Sequence, residues 1–293
     1  MRNNIIYVLL LFSLAYSVPD GSGTSTDPYQ ISDINDFIWI TENSDEWGNN
    51  YFLQTDDIDA LGATIEPIGQ GPPVNLWFQN SSYNGAGHTI SNVVIDGLNQ
   101  SGEGMISRVG LFGQALNSNI ENLGLINLTI NNGYDYVGGL VGMATSTVVK
   151  NCYTSGIINL ESGTASGGLI GAILGTAHIQ NSYSICIVNG NNGVGGLVGN
   201  IISGIVENCY SIGFVSGNDQ VGGLIGAFAD DAIIYNSFWD VESSGQESSD
   251  GGEGKTTDQM KTLETFVSAG WDFEGEEYNG VDNYWDMDRQ GNL

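Results

Sequence analysis

Positive charge is the scarcest property of this 293-residue chain: six Lys and Arg stand against 34 Asp and Glu, a formal net charge of −28 at pH 7. A nucleic-acid binder neutralises phosphates with cations, so nucleic acid is excluded as a partner. Histidine is almost missing. His88 and His178 lie 90 residues apart, and no His-Glu-x-x-His helix can be built from them, which excludes zinc-peptidase chemistry. No Gly-x-Ser-x-Gly elbow offers a nucleophile for a Ser-His-Asp arrangement. Long apolar runs are lacking too. The longest, from Ile5 to Leu14, falls well short of the roughly 20 residues a bilayer requires, so no membrane span is expected in the mature chain. With Arg2 ahead of that run and Ala15 and Ser17 behind it, residues 1–17 read as a cleavable signal peptide. The mature chain then begins near Val18 and is exported.

The acids are unevenly spread. Residues 61–239 hold ten of them together with Arg108 and Lys150, whereas residues 240–293 hold fourteen. A nearly uncharged middle is flanked by acidic ends. Such charge supports solubility and colloidal repulsion.

What is abundant is glycine, 43 residues without a collagen period, and it recurs in phase. Gly110-Leu111-Phe112-Gly113 is followed by Gly139-Leu140-Val141-Gly142, Gly168-Leu169-Ile170-Gly171, Gly196-Leu197-Val198-Gly199 and Gly223-Leu224-Ile225-Gly226, at spacings of 29, 29, 28 and 27. A second column keeps step: Asn122-Leu-Gly, Asn151-Cys-Tyr, Asn181-Ser-Tyr, Asn208-Cys-Tyr and Asn236-Ser-Phe. The segments between are short, β-branched and alternating, which marks strands rather than helices. About 28 residues per unit suits one coil of a parallel β-helix, with equivalent positions stacked about 4.8 Å apart. The expected fold is all-β, a β-solenoid of about six to seven coils with short helical caps at both ends.

In this register the leucines form an interior stack, and the residues after them, Phe112 to Ile225, alternate to the opposite face of the same strand. The asparagines pair their amides along the axis, and Tyr153, Tyr183, Tyr210 and Phe238 stack in the same direction. Cys152 and Cys209 fall in one column with Ser182 between them, about 10 Å apart by strand spacing. Cys186 falls in the column of Gly156 and Gly213. All three thiols are therefore expected to be free and buried, because a disulfide tolerates at most about 7 Å between Cα atoms.

These residues resemble the GLUG motif, a Gly-Leu-any-Gly repeat of bacterial and archaeal surface and secreted proteins that also precedes some immunoglobulin-cleaving zinc metalloproteases. The resemblance extends to Gly23 through Ile31, to Phe52–Asp59 with Tyr83–Ile90, and to Ser237-Phe238-Trp239-Asp240 followed by Lys255–Met260. It implies an exported, non-catalytic repeat protein without the protease domain, acting in adhesion, in the envelope or as an extracellular interaction module. Its partner would be a surface protein or a glycan.

At the ends, residues 30–43 are expected to form a short helix capped by Ser32, and residues 258–269 a helix closing the far end with Trp271, Phe273, Tyr284 and Trp285 beneath it. The organisation read from the chain is signal peptide 1–17, leader and cap 18–60, solenoid 61–241 and acidic C-terminal cap 242–293. Acidic caps discourage end-to-end pairing and favour a monomer.

Candidates for chemistry are few. Glu121, Lys150 and Glu207 share a column just before the asparagines, without the partner acid that glycoside hydrolysis needs. Asp286-Met-Asp288-Arg-Gln-Gly291-Asn292 resembles half of a calcium loop but lacks a closing Glu, and Asp56, Asp57 and Asp59 make a second acidic cluster. No catalytic, cofactor-binding or metal-binding residue is assigned. The other reading is a carbohydrate-binding or polysaccharide-degrading β-helix, with the tyrosine column as an aromatic platform.

Overall fold

In the computed structural model, which describes residues 16–69, 76–97, 107–160, 162–229, 231–275 and 278–287, the chain is a parallel β-solenoid of about six coils. One coil illustrates the rest. Tyr136–Gly138, Val141–Thr145, Val148–Lys150 and Tyr153–Asn159 are four strands in succession, and each stacks on its counterparts in neighbouring coils. The result, among the described residues, is four parallel sheets of 5, 6, 8 and 12 strands, here called first to fourth in coil order. The strand registers reproduce the sequence columns: Val141 pairs with Phe112 and Ile170, Val149 with Ile120 and Ile179, and Tyr153 with Gly124 and Tyr183.

The bend before the fourth sheet explains the asparagine column. Asn122, Asn151, Asn181, Asn208 and Asn236 all have φ between 48° and 55°, the left-handed region that Asn tolerates better than other residues with a side chain. Their amides bridge coils: Asn122 donates to Asn84 at 3.1 Å, Asn151 to Asn122 at 2.9 Å and Asn208 to Asn181 at 3.3 Å. A second corner, between the second and third sheets, repeats the device. Asn80, Asn117 and Ser146 have φ of 52°, 48° and 48°, and the Ser118 hydroxyl accepts from the Ser81 backbone N–H at 3.2 Å.

The glycine step does more than turn the chain. The first sheet folds back onto the second, and glycines meet where the two layers touch. A Cβ on Gly142 would stand 2.6 Å from Val109 N and Gly113 O, and one on Gly171 would stand 2.5 Å from Gly142 O and Val137 N. Only hydrogen fits between backbones at that separation. The fold-back corrects the expected alternation. Each leucine lies in the bend before its strand rather than within it, and the hydrophobic residue that follows opens the strand. Both members of every pair are fully buried in one continuous core.

At the N-terminal end, α1 (Ile34–Glu42) buries Phe37, Trp39 and Ile40 against the first coil. Its cap is Asp33, not Ser32, because the Asp33 carboxylate accepts from the backbone N–H groups of Asn35 and Asp36. Ser32 instead donates its hydroxyl to Asp36 at 2.7 Å. At the other end come α2 (Val241–Ser244), an added strand Glu253–Lys255, α3 (Thr257–Met260) and α4 (Leu263–Val267). The expected single helix over 258–269 is thus two short ones, divided at Lys261-Thr262, and α3 opens with a Thr256–Gln259 capping box. No helix among the described residues is long and apolar enough to cross a membrane.

Candidate functional site

The outer face of the fourth sheet gathers the residues most suggestive of binding. Strand alternation sends Tyr153, Tyr183 and Tyr210 outward while Thr154, Ser184 and Ser211 point in. The inward hydroxyls hold the glycine turns: Thr154 donates to Gly168 O at 2.9 Å and Ser211 to Gly223 O at 2.6 Å. The tyrosine rings lie face to face along the axis, Tyr153 and Tyr183 at 4.9 Å with planes 3° apart, Tyr183 and Tyr210 at 4.7 Å and 9°.

The far end of this ladder is covered by the chain itself. Beyond α4, Trp271 and Trp285 pack together at 4.5 Å, and Trp285 reaches Tyr210 at 5.8 Å and Tyr183 at 6.2 Å. Trp271 donates its indole N–H to Asn236 O at 2.8 Å. Met260, Phe266 and Phe273 complete a second apolar cluster, separate from the solenoid core. Just before Trp285 comes Tyr284, whose hydroxyl lies 3.4 Å from Lys150 Nζ, with that ammonium 4.7 Å from its ring centre. The C-terminal helices therefore lie along the flank of the solenoid. Burial raises the Tyr183 hydroxyl to about 12 and that of Tyr210 well above its ordinary value. Tyr153, at the open end, is raised by burial and then by the Asp57 carboxylate.

Stacking decides what the ladder can offer. Each inner ring has both faces against neighbours, and the Tyr153 ring lies over Gly124, where a Cβ would strike it. Tyr210 is buried, and Tyr153 and Tyr183 are only partly exposed, so the ladder leaves no open row of ring faces for a sugar to stack on. Two further rows continue the same surface: Ile126, Ser155, Ile185 and Ile212, then Thr129, Ile157, Ile187 and Phe214. Their apolar members are all exposed. The alternation that would have revealed this face in the sequence is broken by a register shift between Leu125 and Leu128.

Among the acids and histidines singled out in the sequence, Asp57, Asp59, Glu121, Glu207, His88 and His178 have structural partners. Asp57 accepts from the Thr89 backbone N–H at 2.8 Å, which, as the leading cause, holds its carboxyl below the usual range, and His88 Nδ1 stands 3.5 Å away. Asp59 accepts from Asn92 Nδ2 and Leu61 N, each at 2.8 Å, the Asn92 bond lowering it most. Glu121 accepts from Asn84 at 3.2 Å, and Glu207 faces His178 Nε2 at 3.0 Å. The register places Glu121, Lys150, Gln180 and Glu207 in one column, as the repeat implies. Among the described residues no group of three or more His, Cys, Asp or Glu is arranged to hold a metal. Residues 288–293, with most of the calcium-loop resemblance, lie outside the described residues. Cys152, Cys186 and Cys209 are free and buried. Burial raises them to about 12, 11 and 12, which makes them inert as nucleophiles.

No protein-family model matches the chain. Two curated proteins align with part of it. Halomucin of Haloquadratum walsbyi is 34% identical over 190 residues, which is 62% of this chain and 2% of halomucin. A protein of Evansella cellulosilytica named as a Gly-rich membrane protein is 33% identical over 153 residues, 48% of this chain and 15% of that protein. The chain thus spans a small part of the length of either relative. Among solved structures, a Bacteroides ovatus protein named as an immunoglobulin A1 protease matches with a TM-score of 0.61 over 75% of this chain and 68% of that one. At 23% identity this likeness shows the shared fold alone.

Proposed function

We propose that this chain is an exported, non-catalytic surface module of the GLUG-repeat type, serving adhesion or the cell envelope through a rigid solenoid body. The observation that carries the reading is the employment of the chemistry-bearing side chains in coil-to-coil bonding. Asp57 and Asp59 accept hydrogen bonds from the next coil and Glu121 from the preceding one, and Glu207 lies against His178 across the same kind of step. The names of the two relatives point to the cell surface or membrane, and their much greater length suits coils of this kind being units within long extracellular proteins. In this reading residues 1–17 are a cleaved signal, of which 1–15 lie outside the described residues, and residues 18–60 and 242–293 flank the solenoid.

A carbohydrate platform on the tyrosine ladder is the weaker reading, because Tyr210 is buried and Tyr183 has a ring stacked on each side. The partner is then a surface protein rather than a glycan. The test is immunodetection of the protein in cytoplasmic, surface and medium fractions of its producing cells, together with incubation of purified protein with plant and bacterial polysaccharides. The proposal expects surface or medium localisation and no release of reducing or unsaturated sugar ends. Cytoplasmic retention, or saccharide release that persists on repurification, overturns it.

A further inference from the structure

The flank segment buries a carboxylate with one oxygen that nothing among the described residues bonds. Asp272, between Trp271 and Phe273, is 7% exposed. Its Oδ2 accepts from the backbone N–H groups of Asp282 and Asn283 at 2.9 and 3.1 Å. Its Oδ1 is buried and accepts from no group. The ion pairs among the described residues go to Asp57, Glu207 and Glu253 instead. Lys150 is held at Tyr284, and Lys261 is exposed.

A water can satisfy a buried neutral group, such as the indole N–H of Trp285, which is also buried without a partner. A carboxylate carries a full charge, and two N–H bonds to its other oxygen supply no counter-charge. The burial of Asp272 therefore calls for a cation.

The surroundings suit a hard one. The segment closes on itself here: the Trp285 N–H donates to Asp272 O at 3.2 Å and the Glu274 N–H to Trp285 O at 2.8 Å. Residues 279–283 are thereby held against the carboxylate. A Cβ on Gly280 would strike Asp272 Oδ2 and stand 3.4 Å from Oδ1, so glycine backbone lies directly along both oxygens. Asn279 fixes the same stretch from its other side, its amide donating to Val267 O at 2.7 Å and to Trp271 O at 3.1 Å. Residues 240–293 contain neither His nor Cys, which leaves oxygen as the donor type and disfavours transition metals.

We propose that Asp272 Oδ1 anchors a calcium site completed by residues 279–283. Calcium accepts roughly six to eight oxygens, backbone carbonyls and waters included, without the strict octahedron that magnesium demands. The described residues hold no group of three or more His, Cys, Asp or Glu suited to a metal, so carbonyls and waters supply most of the ligands. Few carboxylates mean low affinity, a Kd of about 0.1–1 mM, the range of extracellular calcium modules. Bound there, the ion ties residues 279–283 to the Trp271–Trp285 pair and so fixes the segment that covers Tyr183 and Tyr210. Binding is a property of the purified chain and does not rest on where the protein resides.

The test uses the full chain stripped of divalent ions with a chelator. Equilibrium dialysis against radioactive calcium in about 0.15 M potassium chloride, which screens diffuse attraction by the acidic surface, should show a single saturable site per chain. Terbium in place of calcium should give tryptophan-sensitised luminescence, because Trp271 and Trp285 bracket Asp272, and calcium should displace it. Calcium at roughly ten times its Kd should raise the melting midpoint of the near-ultraviolet signal by about 2–4 °C, and magnesium by less. Asp272→Asn keeps an oxygen for the Asp282 and Asn283 N–H groups; it should retain the calcium-free near-ultraviolet spectrum and bind calcium about tenfold more weakly or worse. Glu264→Gln removes an exposed acid of α4 and should bind like the parent. A parent without saturable calcium, or without sensitised terbium emission, overturns the proposal and leaves water at Oδ1. Binding that survives Asp272→Asn, or that falls equally in Glu264→Gln, assigns calcium to the acidic surface at large and overturns it too.

Discussion

Asn151 donates its side-chain amide to Asn122 at 2.9 Å, one coil away, and both residues hold the left-handed backbone at φ 54° and 55°. One residue type thus meets two demands at this corner, a bend that most side chains resist and a bond along the axis.

Asn151→Ala is expected to lose both. The left-handed conformation costs an ordinary residue roughly 1–2 kcal/mol, and the amide bond contributes about 1 kcal/mol, so urea unfolding should show a loss of about 2–3 kcal/mol. Asn151→Gly keeps the bend and should lose about half as much. Equal losses in the two variants would mean that the corner is unstrained.

Gly142→Ala places a methyl group 2.6 Å from Val109 N, between two layers of backbone that have no side chain to move aside. Thermal melting should register a loss near the upper end of the range for overpacking, about 3 kcal/mol. Gly87→Asn is the contrasting change. Gly87 has φ 87°, and a Cβ placed there would meet nothing within 4 Å. Only the left-handed backbone then opposes the substitution, and Asn resists it less than other side chains, so the loss should be about 1 kcal/mol, well below that of Gly142→Ala.

These two sites also show why part of the architecture was legible in the chain. Each coil makes the same demand at the Gly-Leu step and at the bend before the fourth sheet, so Gly and Asn recur there and the period can be counted. The second corner makes a similar demand, but Asn80 and Asn117 give way to Ser146, and later coils use Gly175 and Gly204 in the neighbouring turns, so no single letter repeats. Placement of Leu140 before its strand depends on the fold-back of the first sheet onto the second, a contact that periodicity does not encode. Packing of Trp271 and Trp285 along the flank likewise depends on partners, Tyr210 and Tyr183, far away in the chain. The free, buried state of the three cysteines was legible because it followed from the register alone.

The same thiols impose a pH limit. Burial raises Cys152, Cys186 and Cys209 from 9.0 to about 12, 11 and 12. A raised folded-state value means that their contribution is complete below pH 9 and is lost as the pH climbs towards the folded values. Stability should fall progressively between about pH 9 and 12, and a Cys152→Ser, Cys186→Ser, Cys209→Ser variant should show a shallower fall. At pH 8 the native protein should resist a thiol reagent that labels all three cysteines in denaturant.

Trp271→Ala removes a fully buried ring that packs against Phe266 at 4.8 Å and Trp285 at 4.5 Å. The flank cluster should loosen at a cost of about 3–5 kcal/mol, seen as loss of near-ultraviolet circular dichroism and earlier melting of the C-terminal segment. The far-ultraviolet spectrum of the coils should persist, because this cluster is separate from the solenoid core. Collapse of both signals together would show that the segment is part of the solenoid's folding unit.

The coil register is tested most directly at Ser182, which lies between Cys152 and Cys209 and accepts the Cys152 N–H at 3.1 Å through its hydroxyl. Neighbouring positions in one column stand about 4.8 Å apart, inside the range a disulfide spans. The parent should show three free thiols after denaturation. Mildly oxidised Ser182→Cys should show two, with peptide mapping joining position 182 to Cys152 or Cys209. Four free thiols in the variant, or a bond from position 182 to Cys186, would contradict the stacking of these coils.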